Sequence, residues 1–250
     1  MPKMRFPHML GLVLFMLLPL AADAADSRVL NALLDGVLAA HVKDGYVDYP
    51  EIARNVRFHK YLEAIAEFDV DALADDKERL AFWINAYNAL AIKQIIDGQT
   101  PIGTIARMKF FRLTSHRVGQ RNLDLNAIEN DILLAMDEPR VHFAIVNATY
   151  SAPNLRSGAY RVDELDRQLE DNTRNFVQDV RKNRFSRSLR LAKLSEIFDG
   201  HRDAFGGDDK AVQEFISRYV DDDEVAADLA AGRYAIEYLE IDWSINGHPM

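Results

Sequence analysis

Apolar residues recur at three- and four-residue intervals from Asp26 to about Phe68: Val29, Leu30, Leu33, Leu34, Val37 and Leu38, then Tyr61, Leu62 and Ile65. Breaks at Asp44-Gly45 and Pro50 divide the stretch, so the pattern predicts two or three helices with an extended Tyr46–Tyr49 between them. Residues 78 to 97 read differently. Leu80 to Phe82, Trp83, Ile84, Ala86, Tyr87, Ala89 to Ile92, Ile95 and Ile96 leave few polar positions on any side, which is the mark of a central buried helix. Asp97-Gly98 ends it and Pro101 prevents its resumption.

Farther along, Lys109–Thr114 and Gln120–Leu125 read as a hairpin joined across His116–Gly119. Leu125 to Met136 follows as a helix with an Ile128, Ile132, Leu133 stripe. Val141 to Thr149 is short, apolar and β-branched between Pro139 and Pro153, the pattern of a buried strand. Val162 to Val180 is amphipathic, with Asp163 and Glu164 suited to the positive end of a helix dipole. A strand near Leu189–Ala192, helices around Ile197 and Val212–Tyr219, and a last strand from Tyr234 to Trp243 complete the pattern. No repeat or linker interrupts it. The expected fold is α+β: one helix-rich domain, residues 25–250, around a small, mostly antiparallel sheet.

The first 24 residues stand apart. Lys3 and Arg5 precede the apolar run Met9–Leu20, and Ala22-Asp23-Ala24 has the small-x-small form of a signal-peptide cleavage site. About a dozen apolar residues make roughly 18 Å of helix, against the ~30 Å of a bilayer core, so the segment is expected to be removed rather than to span. The expected location is the periplasm or the medium, with no stable membrane span after processing. Loss of Met1–Ala24 would change 30 basic and 39 acidic side chains to 28 and 38, a balance of −10, which disfavours nucleic acid as a partner. The chain has no cysteine, which excludes a thiolate nucleophile, cysteine-ligated metals and disulfides.

Several polar residues fall where chemistry could be done. Asn85 and Asn88, three apart on the buried helix, project to the same side, and a buried amide without partners costs about 1–3 kcal/mol. They are either ligand-orienting groups or ties between the helix and neighbouring backbone. His142 is a candidate base or a satisfied core group. On a strand it would share a face with Ala144, Val146 and Ala148, with Asn147 opposite. The loop Tyr150–Arg156 offers Ser151 as a hydroxyl that a histidine could activate and Arg156 as a binding group. Asp242 is placed either to orient a histidine or to cap a turn. Glu129 lies on an amphipathic helix. The acidic group Asp199, Asp203, Asp208 and Asp209 with His201 lacks calcium-loop spacing, so no metal and no cofactor are expected. The basic run Arg181 to Arg190 reads first as a solvated face.

Six segments in order, Leu80–Leu90, Leu125–Glu129, Arg140–Val146, Ser151–Leu155, Leu194–Phe198 and Ile241–Asn246, resemble the motifs of the domain-of-unknown-function family five-four-seven. The resemblance spans about residues 30 to 246, and Asn85, Asn88, Glu129, His142 and Asp242 are the polar residues that match. Members usually carry cysteine where this chain has Asn147, and often at Ala152. A buried helix, a histidine strand and a late aspartate strand, in that order, are similar to papain-like or transglutaminase-like architecture, with Asn85 in place of a nucleophile. Two functions follow as expectations. One is an exported binding or accessory protein holding an envelope ligand or protein partner in a cleft lined by Asn85, Asn88, His142 and the 150–156 loop. The other is a hydrolase or acyltransferase with His142 as base, Asp242 as its orienter and Ser151 or water as the attacking group.

Overall fold

A computed structural model describes residues 27–248. The signal-peptide expectation lies outside the described residues. α1 (Ser27–His41) leads into the short hairpin of β1 (Val42–Lys43) and β2 (Tyr46–Asp48), turned through Asp44 and Gly45 at φ 51° and 81°. α2 (Tyr49–Arg54) and α3 (Val56–Glu67) follow, capped by Asp48 and Asn55, whose side chains accept from Glu51 N and Arg57 N. α4 (Asp76–Ile96) begins at Asp75, which accepts from Glu78 N, and buries fifteen of its 21 residues. Burial on every side takes each large residue, such as Ile84 and Ile92, fully out of water, at about 1.5–3 kcal/mol apiece.

Beyond α4, α5 (Thr104–Met108) runs into a π-helical turn at Lys109–Leu113, and β3 (His116–Val118) pairs with β4 (Arg121–Leu123). α6 (Leu125–Ala127) continues as a π-helical stretch, Ile128–Leu133, and a 3-10 turn, Leu134–Met136. A separate 3-10 turn covers Pro139–Phe143. Then come α7 (Leu165–Gln178), β5 (Arg184–Ser186), β6 (Leu191–Ser195), α8 (Ile197–Gly200), α9 (Asp209–Ser217), α10 (Asp223–Ala230), β7 (Ala235–Leu239) and β8 (Gly247–His248).

The architecture is α+β, with three small sheets where one was expected. β1, β2 and β8 form the first, β3 and β4 the second, β5, β6 and β7 the third; β2–β8 and β6–β7 are parallel and the other pairs antiparallel. Gly247 is required in the first sheet: a Cβ there would lie 2.0 Å from the Val47 carbonyl oxygen. Two apolar cores result. The larger gathers α1 to α4 and the segments after them, and the smaller is an aromatic cluster of Phe143, Phe176, Phe198, Phe205 and Phe215 with Leu194 and Ile216.

Two expectations are corrected. Lys109–Leu113 is helical and the hairpin is the shorter β3–β4, because Phe110 is drawn into the core, where its carbonyl accepts from Gln94 Nε2 at 2.7 Å. Val141–Thr149 is no strand: it is the end of a 3-10 turn followed by irregular chain, and Ala148 at φ 62° breaks any extended run. The segment is apolar because it lies between both cores, Val141 and Ala144 in the larger and Phe143 in the smaller. Buried backbone outside a ladder still needs partners, and amide side chains supply them. Asn88 donates to Ala144 O (3.0 Å) and accepts from Val146 N (2.8 Å), while Asn172 donates to Phe143 O (2.7 Å).

Candidate functional site

The 3-10 turn at Pro139–Phe143 points His142 into the join between the cores, and the turn is held by Glu138, which accepts from Arg140 N and pairs with its guanidinium. His142 is 4% exposed and makes no hydrogen bond among the described residues; its Nε2 is fully buried without a partner there. Its ring lies 4.1 Å, centroid to centroid, from that of His201, which the chain supplies just after α8, and 5.5 Å from Phe205. Behind His201, Glu129 Oε1 stands 4.0 Å from Nε2, and Tyr87 on α4 donates to Glu129 Oε2 at 3.2 Å. Glu129 comes from the π-helical stretch, an irregularity that re-aims side chains relative to an α-helix. Both imidazoles line a cavity of about 570 Å³ with Asp137, Glu138, Asp199, Arg202 and Asp203.

Burial sets the protonation states here. Desolvation, followed by the neighbouring His201, lowers His142 to about 3, and desolvation alone lowers His201. Both rings are therefore neutral at pH 7 and offer a lone pair as well as an N–H. Burial also raises Glu129, against the opposing hydrogen bond from Tyr87, and raises Tyr87 itself, with the charge of Glu129 adding to the effect. An orphan imidazole in a native interior asks for a partner, since buried polar groups are paired in the great majority of cases.

The other expected residues are dispersed. Asn85 donates to Asn31 Oδ1 (3.0 Å) and Tyr160 O (2.8 Å) and accepts from Tyr160 N (2.8 Å). With Asn88 serving Ala144 and Val146, both amides tie irregular chain to α4. Asn147 accepts from Thr149 N and Oγ1, a local turn contact. Ser151 and Asp242 do meet, but through the Asp242 backbone N, which donates to Ser151 Oγ at 2.7 Å. The Asp242 carboxylate accepts from Ser244 N (2.9 Å) and Oγ (2.7 Å), which hold it below the usual carboxylate range. No hydrogen bond or ion pair joins His142 to Ser151 or Asp242, so a Ser–His–Asp relay is not assembled.

Arg156 borders a second cavity, about 920 Å³, beneath the 150–156 loop. Its Nη1 donates to Gln168 O (3.5 Å) and Asn172 Oδ1 (3.3 Å), and its Nε is buried without a partner. Asn172 lines this cavity and also donates to the carbonyl of Phe143, the residue after His142. Of the acidic group near His201, Asp199 and Asp209 pair with Arg202 and Asp208 caps α9, and among the described residues no three His, Asp or Glu side chains are placed to hold a metal.

With Tyr87, Glu129 and His142 converging from three separate elements, the comparison with known families becomes informative. A family model described as protein of unknown function, DUF547, matches residues 70–177. The DUF547 match supports the resemblance drawn from the motifs and contains Tyr87, Asn85, Asn88, Glu129, His142 and Arg156, while His201 lies beyond it. Among curated proteins and among solved structures, nothing matches the chain. His201 and Tyr87 are the site residues that sequence patterns missed. The only signal for His201 was its place in the acidic group, and Tyr87 read as one more apolar position of a buried helix.

Proposed function

We propose that this is an exported binding protein whose ligand enters the cavity floored by His142 and His201. The carrying observation is the buried His142 Nε2, which has no hydrogen-bond partner among the described residues. Glu138 and Asp199 are paired with Arg140 and Arg202, while Asp137 and Asp203 stand in the walls beside the neutral rings. The ligand that complements them presents N–H or O–H donors, as amines and sugars do. The cavity volume is within the range of small-molecule sites.

A thermal-shift screen against envelope glycans, amino sugars, peptides and acyl compounds tests this, with His142→Gln beside the parent chain. A ligand at about 100 times its Kd adds ~2.7 kcal/mol, several degrees in a domain of this size. The expected result is a shift in the parent that the folded variant lacks. A shift of equal size in both would remove His142 from the site.

A second reading, proton transfer at the same place, is favoured by one arrangement: the Tyr87–Glu129–His201 series behind His142. In that reading His201, whose Nε2 faces the Glu129 carboxylate, takes the proton from water on a bound substrate. Ligands found in the screen would then be converted, at a rate that His201→Gln lowers by roughly 10²–10⁴-fold, the usual contribution of a general base.

A further inference from the structure

From Gly98 to Leu123 the chain contains no acidic residue, yet it carries Arg107, Lys109, Arg112, Arg117 and Arg121, in a protein of net charge −9. The same stretch holds four large exposed apolar side chains: Ile102 (52%), Ile105 (81%), Met108 (49%) and Leu113 (68%). Ile105 and Met108 are three apart on α5 and share a face, and Lys109 and Arg112 are three apart on the turn that continues it. The underside is pinned. Phe110 is fully buried, its carbonyl accepts from Gln94 Nε2, and Thr114 Oγ1 donates to Gln99 Oε1 at 2.9 Å.

The cations are unequal. Arg107 lies 3.8 Å above the Trp243 ring and Arg117 pairs with Glu67, whereas Lys109, Arg112 and Arg121 have no ion pair among the described residues. Exposed aliphatic side chains flanked by unpaired cations, in a chain whose other residues carry net negative charge, match an anionic lipid surface in polarity. Segment 102–113 lines neither of the cavities described above.

We propose that segment 102–113 docks the protein peripherally on anionic membranes, with Ile105, Met108 and Leu113 entering the headgroup–acyl boundary and Lys109, Arg112 and Arg121 meeting lipid phosphates. Among the described residues no helix is long and apolar enough to cross a membrane. The contact is therefore one of lying on the surface.

Vesicle sedimentation tests it, using the chain without residues 1–24, so that the apolar run Met9–Leu20 plays no part; the removed residues belong to neither of the two cores described above. Phosphatidylcholine vesicles with about one-third phosphatidylglycerol should bind the protein, and pure phosphatidylcholine vesicles roughly 10-fold more weakly or worse. Ile105→Ser with Met108→Ser should weaken partitioning by about 10-fold or more, and Lys109→Gln with Arg112→Gln by a similar factor that disappears in high salt. All four side chains are solvent-facing, so melting temperatures should be unchanged. Absence of binding to the anionic vesicles, or equal binding by parent and both double variants, would overturn the proposal.

Discussion

Acidification should expose the cost of burying His142. An ordinary histidine takes a proton near 6.5, but this one is held to about 3 by desolvation and by His201. The folded state favours the neutral ring, so its contribution to stability is complete above about pH 6.5 and is lost as pH falls toward 3. Linkage gives a loss of about 2 kcal/mol at pH 5, against about 0.2 kcal/mol at pH 7. For a domain of this length that is about 4–8 °C in Tm. His201, lowered in the same direction by burial, adds to the slope. Glu129 opposes it: its raised value means that the protonated form is favoured on folding, a contribution present at low pH and lost as pH rises. The readout is therefore the difference between the parent and His142→Gln, which keeps His201 and Glu129 but cannot titrate at position 142. Melting curves from pH 7 to pH 5, by circular dichroism, should show the parent losing about 2 kcal/mol more than the variant. Parallel pH profiles would refute the reasoning, since His142 would then have a normal proton affinity.

Two further outcomes follow from the hydrogen bonds. Asn88→Ala leaves Val146 N and Ala144 O buried without partners, and chemical denaturation should register a loss of about 2–4 kcal/mol; a loss below about 1 kcal/mol would mean that the 144–146 segment is held by something else. Ser151→Ala removes the acceptor of the Asp242 N–H and should cost only about 0.5–1.5 kcal/mol, with ligand shifts at the His142 cavity intact; abolished ligand response would return Ser151 to the site.

Where periodicity reported burial, it located the elements well. α4 was plain because an all-round apolar run of its length has few other solutions, and α1, α3 and α7 followed from their stripes. Burial without regular hydrogen bonding was what it could not see. Val141–Thr149 has the composition of a strand because it is sequestered by two cores, while its backbone partners are Asn88 and Asn172, contributed by helices remote in sequence. The aromatic pair Phe110-Phe111 suggested a strand for a similar reason: one ring is buried within a helical turn. Asn85 and Asn88 were recognisable as buried amides needing partners, and the choice between ligand and backbone rested on loops that no local pattern positions. His142 was legible as a candidate and its partner was not, because the His142–His201 contact depends on how the smaller core closes around Phe143 and Phe205.

The central claim, that His142 lacks a partner until a ligand arrives, is tested most directly by long-range ¹H–¹⁵N NMR of the imidazole nitrogens. The free protein should show a neutral His142 ring whose Nε2 signal has no hydrogen-bond shift at pH 7. A ligand that raises Tm should move the His142 nitrogens, and those of His201 with them, in proportion to occupancy. If such a ligand left both rings unmoved, or if the free protein showed a charged or already hydrogen-bonded His142, the binding site would not be here.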